Sequence, residues 1–184
     1  MRFLLPAIAL LLTTTPLAAA DLHIDPLRSR AEFSVRLLWV STVSGSFDGI
    51  RGEVSIDRQA RTAVVKADID TESIRMESAR LRRWVLAPEF FDAEHHPQIH
   101  FVSLPVSLHT LSGGSDIEGS LTLRGITRPV TFHLEPNHCP ADAMAGCVLQ
   151  LEGSIDRTDF DMRGHRGALS DRVTLGMAIV LSAP

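Results

Sequence analysis

The sequence predicts an all-β domain, an antiparallel barrel or sandwich of about eight short strands with one short helical insertion around residues 76–93. Three observations carry this expectation. Runs of alternating apolar and polar residues recur at near-regular spacing from Ala31 to Leu181. Glycine-rich stretches punctuate them. Over residues 76–91 the period changes: Leu81, Trp84, Val85 and Leu86 fall near helical spacing until Pro88 breaks the run.

Taken in order, Ala31, Phe33, Val35, Leu37 and Trp39 alternate with Glu32, Ser34, Arg36 and Leu38, which gives a strand with one apolar face. Residues 44–57, SGSFDGIRGEVSID, bend and continue through Val54 and Ile56, with glycines suited to bulges or tight curvature. Val65, Ala67 and Ile69 alternate with Lys66, Asp68 and Asp70. After the helical insertion the strand pattern returns at Ile99, Phe101 and Val102, and a hairpin is expected from 106–111 to 117–123 across Ser112-Gly113-Gly114-Ser115. In 119–132, GSLTLRGITRPVTF, Leu121 and Leu123 share a face opposite Thr122 and Arg124, and Gly125 marks a turn. Pro129 has no N–H for a ladder, so it is expected at the first residue of the next strand, 130–134. Strands over 147–156 and 173–181 complete the set, the last with apolar residues on both faces. Closing the sheet would leave no exposed edge.

The N-terminus reads as a secretory signal. Arg2 is the positive flank, residues 3–12 are an apolar run, and Ala18, Ala19 and Ala20 are small residues at the cleavage positions. Ten helical residues rise only about 15 Å, roughly half a bilayer core, which argues against a retained anchor. The organisation expected is therefore a signal peptide over 1–20 and one domain over 21–184, exported and, in a Gram-negative cell, periplasmic. Without residues 1–20 the chain carries 17 basic against 22 acidic side chains. This balance offers no footprint for nucleic acid, whose binding needs a basic patch to release counterions.

Enzyme signatures are absent: there is no G-x-S-x-G elbow, phosphate-binding loop, H-E-x-x-H or dinucleotide fingerprint. Asp156, Asp159, Asp161 and Asp171 are expected to cap turns and to pair with Arg157, Arg163 or Arg172. Cys139 and Cys147, with seven residues between them in an exported chain, are expected to form a disulfide. The rival reading, a soft-metal site of both thiolates with His133 and His138, lacks paired C-x-x-C spacing. His95, His96 and His100 are expected to be solvated or hydrogen-bonded rather than metal-bound, since Pro97 keeps His96 and His100 off one helical face.

Apolar residues predicted to face inwards define the candidate ligand lining: Phe33, Val35, Leu37, Trp39, Phe47, Ile69, Trp84, Phe101, Leu121, Leu123, Phe132, Leu149, Leu175 and Met177. The bland alternative is that they simply fill a small barrel, as eight strands allow.

Six segments in order resemble the YceI-like family: HIDPLRSRAEFSVR (23–36), VSGSFDGIRGEVSID (43–57), TESI (71–74), EFFDAEHHPQIHF (89–101), GSLTLRGITRPVTF (119–132) and GSIDRTDFDM (153–162) followed by LSDRVTLGMAIVLSA. The resemblance implies a lipocalin-like, up-and-down barrel that holds a polyisoprenoid, isoprenoid quinone or other amphipathic lipid. It implies no cofactor beyond that ligand and no catalysis. Its partners would be a long apolar small molecule and, transiently, a membrane or membrane redox protein, with a monomer or homodimer as the assembly. Alternatives are a stress-related scaffold with a filled barrel and, less favoured, a metal-handling protein. The chain departs from the family between Ser73 and Glu89, where IRMESARLRRWVLAP has no acid beyond Glu77 and where Trp84 and Val85 replace polar positions. It also has Asp161 where the family tends to have glycine, which argues against the same tight turn.

Overall fold

The computed structural model describes residues 20–38, 40–139, 144–165 and 167–183. The signal-peptide reading of residues 1–19 and the lining assignment of Trp39 lie outside the described residues. Twelve strands form one antiparallel sheet: β1 Ala20–Ile24, β2 Arg30–Leu37, β3 Ser41–Phe47, β4 Ile50–Asp57, β5 Thr62–Asp70, β6 Ile74–Met76, β7 Gln98–Ser103, β8 Val106–Ser107, β9 Ser115–Leu123, β10 Ile126–Leu134, β11 Val148–Asp156 and β12 Leu169–Ser182.

These strands combine into eight staves. β1 and β2 both lie along β12, with Ile24 opposite Leu181 and Arg30 opposite Ala178, so they are one stave interrupted at 25–29. β4 pairs with β1 and β3 with β2, which makes 41–57 a second stave bent at Asp48 and Gly49. β5 and β6 continue the pattern on β4 and β3, and β7 and β8 both pair with β5. β9, β10, β11 and β12 follow, and β12 returns to β1. Sequential staves are neighbours all the way round, so the sheet is a closed up-and-down barrel of eight staves and not a sandwich.

Closure is uneven. At one end β6 pairs only with β3, and β10 meets β11 only over Phe132, His133 and Leu134. The insertion and the 157–168 connection sit at this end. The expected helical insertion resolves into β6, helix α1 Ala79–Leu86 and a series of turns through His95. Ser78 caps α1 by accepting a hydrogen bond from the Leu81 amide at 3.2 Å. Pro88 follows its last turn.

Three local expectations are corrected. Residues 106–111 are not a hairpin arm: β8 is two residues long and helix α2, Leu108–Gly113, takes over. Leu108 and Leu111 stand three apart, a spacing that fits a helical turn as well as a strand, and buried Leu111 decides between them. β9 pairs instead with β7. Pro129 lies inside β10 rather than at its start, opposite Ser120, where β10 has no ladder with β11 to break. The outer face of β12 is not fully covered, since Arg172 and Thr174 are exposed.

Two inward rings pack the other end of the barrel. Phe101 and Phe132 meet edge to face at 5.3 Å between centroids. Glycines make room for both: a Cβ on Gly119 would lie 2.5 Å from the Phe101 ring and 2.6 Å from the Val102 carbonyl, and one on Gly153 would lie 2.6 Å from the Phe132 ring. Gly119→Ala is therefore expected to destabilise the fold by about 1–3 kcal/mol, because ring or strand must shift. A urea titration showing an unchanged midpoint would refute this packing.

Candidate binding cavity

Above the Phe101–Phe132 floor the barrel is not filled. A cavity of about 110 Å³ lies between the floor and the segments that cover the unevenly closed end. That is several times the roughly 10–15 Å³ that one water occupies by the same measure, so the space is larger than a single water site. Its walls come from strands: Val35, Phe33 and Ala31 from β2, Val43 and Phe47 from β3, Ile69, Ile99, Leu121 and Leu123 from β5, β7 and β9, and Val173, Leu175 and Met177 from β12. The period-2 alternation of each strand puts these residues inside.

Of the residues predicted to line it, Phe33, Val35, Phe47, Ile69, Trp84, Leu121, Leu123, Leu175 and Met177 border this cavity. Leu37, Phe101, Phe132 and Leu149 do not. Phe101 and Phe132 face inwards but form the floor. Leu149 is buried near the other end of β11, and Leu37 packs against the core at the tip of β2. Alternation identified the inward face without giving the height along the axis at which packing stops.

The cover was less legible. α1 contributes Trp84 and Val85, and the turns after it contribute Phe90 and Phe91. Phe91 stands edge-on to Phe33 at 5.9 Å and to Phe47 at 5.5 Å, which ties the cover to β2 and β3. Trp84 lies 4.4 Å from the Phe90 ring and its indole donates to His165 Nε2 at 3.2 Å. From the turn between β9 and β10, Arg124 donates through Nη1 to the carbonyls of Pro88 and Phe90. Arg124 and Gly125 both have positive φ, 54° and 70°, as a two-residue hairpin turn requires.

The one charged side chain in the lining with a buried head is Arg157, 2 % exposed. Its Nε donates to the Ser170 carbonyl at 2.9 Å, Nη1 to those of Met162 and Gly164 at 2.5 and 3.0 Å, and Nη2 to that of Leu169 at 3.1 Å and to Asp171 Oδ1 at 3.0 Å. All five donors are used, so none is left for a ligand. Arg157 instead fixes the 157–169 connection that carries Met162 and Leu169 into the wall. Asp156 caps the 3-10 turn Arg157–Phe160; the Thr158 hydroxyl and amide, both bonded to its carboxylate, hold its pKa below the usual value. Asp161 takes the left-handed conformation, φ 59°, and pairs with Arg163. The tight turn thus forms with aspartate, which tolerates that conformation better than most residues, contrary to the expectation from its replacing glycine.

His95 and His96 both turn to Asp92, at 2.8 and 3.8 Å, while His100 pairs with Asp68 at 2.5 Å on the outside of β5 and β7. Among the described residues no three metal-ligating side chains converge. Cys139 and Cys147 are joined in a disulfide, Cα–Cα 6.0 Å, so no thiolate pair is free for a metal. This loop joins β10 to β11 at the floor end. No helix among the described residues is long and apolar enough to cross a membrane.

The YceI-like domain profile matches residues 22–181, nearly all of the described chain. The chain belongs to the YceI-like family. A UPF0312 protein of Pectobacterium carotovorum is 29% identical over 180 residues, covering 95% of this chain and 93% of that protein. Protein YceI of Salmonella arizonae is 29% identical over 176 residues, covering 93% and 91%. Among solved structures, Burkholderia cenocepacia BcnA superposes with a TM-score of 0.68 at 18% identity, covering 87% of this chain and 99% of that one. A polyisoprenoid binding domain from Saccharophagus degradans, implicated in plant cell wall breakdown, gives 0.65 at 15% identity, covering 91% and 100%. Both share the lipocalin-like barrel.

Two outcomes test this geometry. Arg157→Ala is expected to cost about 3–5 kcal/mol, because it strands four buried carbonyls and the Asp171 carboxylate, and Arg157→Lys should not rescue it; an unchanged melting temperature would refute the role. The Asp92 hydrogen bond raises the pKa of His95, and the same bond lowers that of Asp92. The His95 contribution is present below its ordinary value near 6.5 and is lost as pH rises through the raised one; that of Asp92 is present above its ordinary value and is lost as pH falls through the lowered one. The turns over 92–96 are thus held best between about pH 4 and 6.5. In an NMR titration His95 should show a midpoint above the ordinary histidine value, and Asp92→Asn should return it to that value.

Proposed function

We propose that this YceI-like protein is a periplasmic carrier that holds the hydrocarbon chain of a polyisoprenoid, isoprenoid quinone or amphipathic lipid in the barrel cavity. The observation that carries the reading is a hollow whose exposed surface is almost wholly apolar and whose one buried cation has no spare donor. Such a site rewards chain burial and little else. Each buried methylene contributes roughly 0.8 kcal/mol, so a run of ten supplies about 8 kcal/mol before the cost of ordering the chain. No polar group there could position a reacting atom, which favours binding over catalysis. Membership of the YceI-like family and the polyisoprenoid-binding domain among its structural neighbours support the same ligand class.

The head group of a bound lipid would have to stay at the covered end, because nothing inside can solvate it. Binding a long chain would displace Phe90, Phe91 or Trp84, whose ring contacts hold the cover down.

Organic extraction of gently purified protein followed by mass spectrometry is expected to return an isoprenoid or long-chain lipid in about stoichiometric amount. Leu121→Trp, which projects an indole into the cavity, should abolish uptake of an added isoprenoid while leaving a cooperative melt. Clean apoprotein that takes up no added isoprenoid would sink the carrier reading and favour a filled scaffold serving a membrane redox system.

A further inference from the structure

Three segments meet at the covered end of the barrel. The tip of the β2–β3 hairpin, 36–42, is bonded to the 162–170 connection through the Leu38 amide and the Ala168 carbonyl at 2.7 Å. That connection is bonded in turn to the α1 segment, 78–88, through Trp84 and His165. Together their sequences, RLLWVST, MRGHRGALS and SARLRRWVLAP, contain six arginines and no acid, in a chain whose net charge is −4. The nearest acids, Glu77, Glu89, Asp161 and Asp171, stand just outside the segments; Asp161 already pairs with Arg163 and Asp171 with Arg157. Among the described residues, Arg36, Arg80 and Arg83 are exposed and make no ion pair.

The hairpin tip is apolar where turns are ordinarily polar. Val40 is 88% exposed and Leu38 58%. Leu38 also holds φ at 49°, a conformation that glycine or asparagine adopts more easily. Two exposed apolar side chains on a projecting tip, beside unpaired arginines, fit a surface that offers hydrocarbon beneath a layer of phosphate.

We propose that this end of the barrel docks on an anionic lipid bilayer, with Leu38 and Val40 inserted below the headgroups and Arg36, Arg80 and Arg83 on the phosphates. The charge pattern selects this occupant: the three cations complement an anionic surface, and a wholly apolar partner would leave them desolvated. The same face carries the cavity cover, so a chain leaving the cavity would enter the bilayer without crossing water. Docking itself does not require a bound chain, so it can fail or hold independently of the carrier reading.

The test is co-sedimentation of the protein, as isolated from the cell, with vesicles of phosphatidylethanolamine and phosphatidylglycerol against vesicles of phosphatidylcholine alone. Partition onto the anionic vesicles is expected, weakening with added salt. Arg80→Gln with Arg83→Gln should lower the partition coefficient about twenty-five-fold, since each basic side chain near an anionic surface is worth roughly a factor of five. Leu38→Asn with Val40→Ser should lower it comparably with an unchanged melting temperature, asparagine suiting the left-handed backbone. Retained residues 3–12 would carry every variant onto both vesicle types, so the anionic preference and the variant differences are the readout. Absence of partition, or partition by either variant equal to that of the unaltered protein, would overturn the proposal. So would a Val40-dependent dimer without vesicle binding, which would assign the face to a second copy of the chain.

Discussion

β12 is the constraint on which the barrel depends. Its fourteen residues pair with β11 along one edge and with β2 and then β1 along the other, so one strand joins the last stave to the first. A strand that long is needed because the opposite stave is broken at 25–29 and cannot align itself. The break is bridged by Ser29, whose hydroxyl accepts from the Val180 amide at 3.0 Å in the interior. Without β12 nothing would hold β1 and β2 in line as one stave, and the hollow would have no wall on that side.

Two arginines then divide the work at the covered end. Arg157 is spent entirely on the connection leading into β12, and Arg124 reaches across from the β9–β10 turn to the backbone of the cover. Both bond main-chain carbonyls, so they fix where apolar side chains sit without adding polarity to the hollow. A guanidinium can do this in a small barrel because its planar fork reaches several acceptors at once, whereas an ammonium meets them from a single point. The floor is fixed by the opposite device, the removal of side chains at Gly119 and Gly153 so that two large rings can lie across the axis.

Much of this was legible in the sequence, and the failures share a cause. Period-2 alternation located most of the long strands and the inward faces of β2, β9 and β12, because one side of each is buried; β3 fell in a glycine-rich stretch and was not resolved as a strand of its own. The order of motifs distinguished a barrel from a sandwich, which alternation cannot do. Alternation is blind to height along the barrel, so Phe101, Phe132 and Leu149 looked equivalent to Leu121 and Leu175, although the two rings are the floor itself and Leu149 does not border the hollow. Phe90 and Phe91 were missed because they sit on turns, where no period marks the buried side. Arg157 was read as a turn partner for acids, which is true of Asp171; its four carbonyl contacts come from loop residues whose path no local pattern records. The adjacent phenylalanines in a charged stretch, EFFDAEHH, were the available signal that this segment packs on something.

The cross-link between Cys139 and Cys147 lies at the floor end, with the Phe101–Phe132 layer between it and the hollow. Neither cysteine borders the hollow, so the bond staples the β10–β11 loop without shaping the wall or the cover.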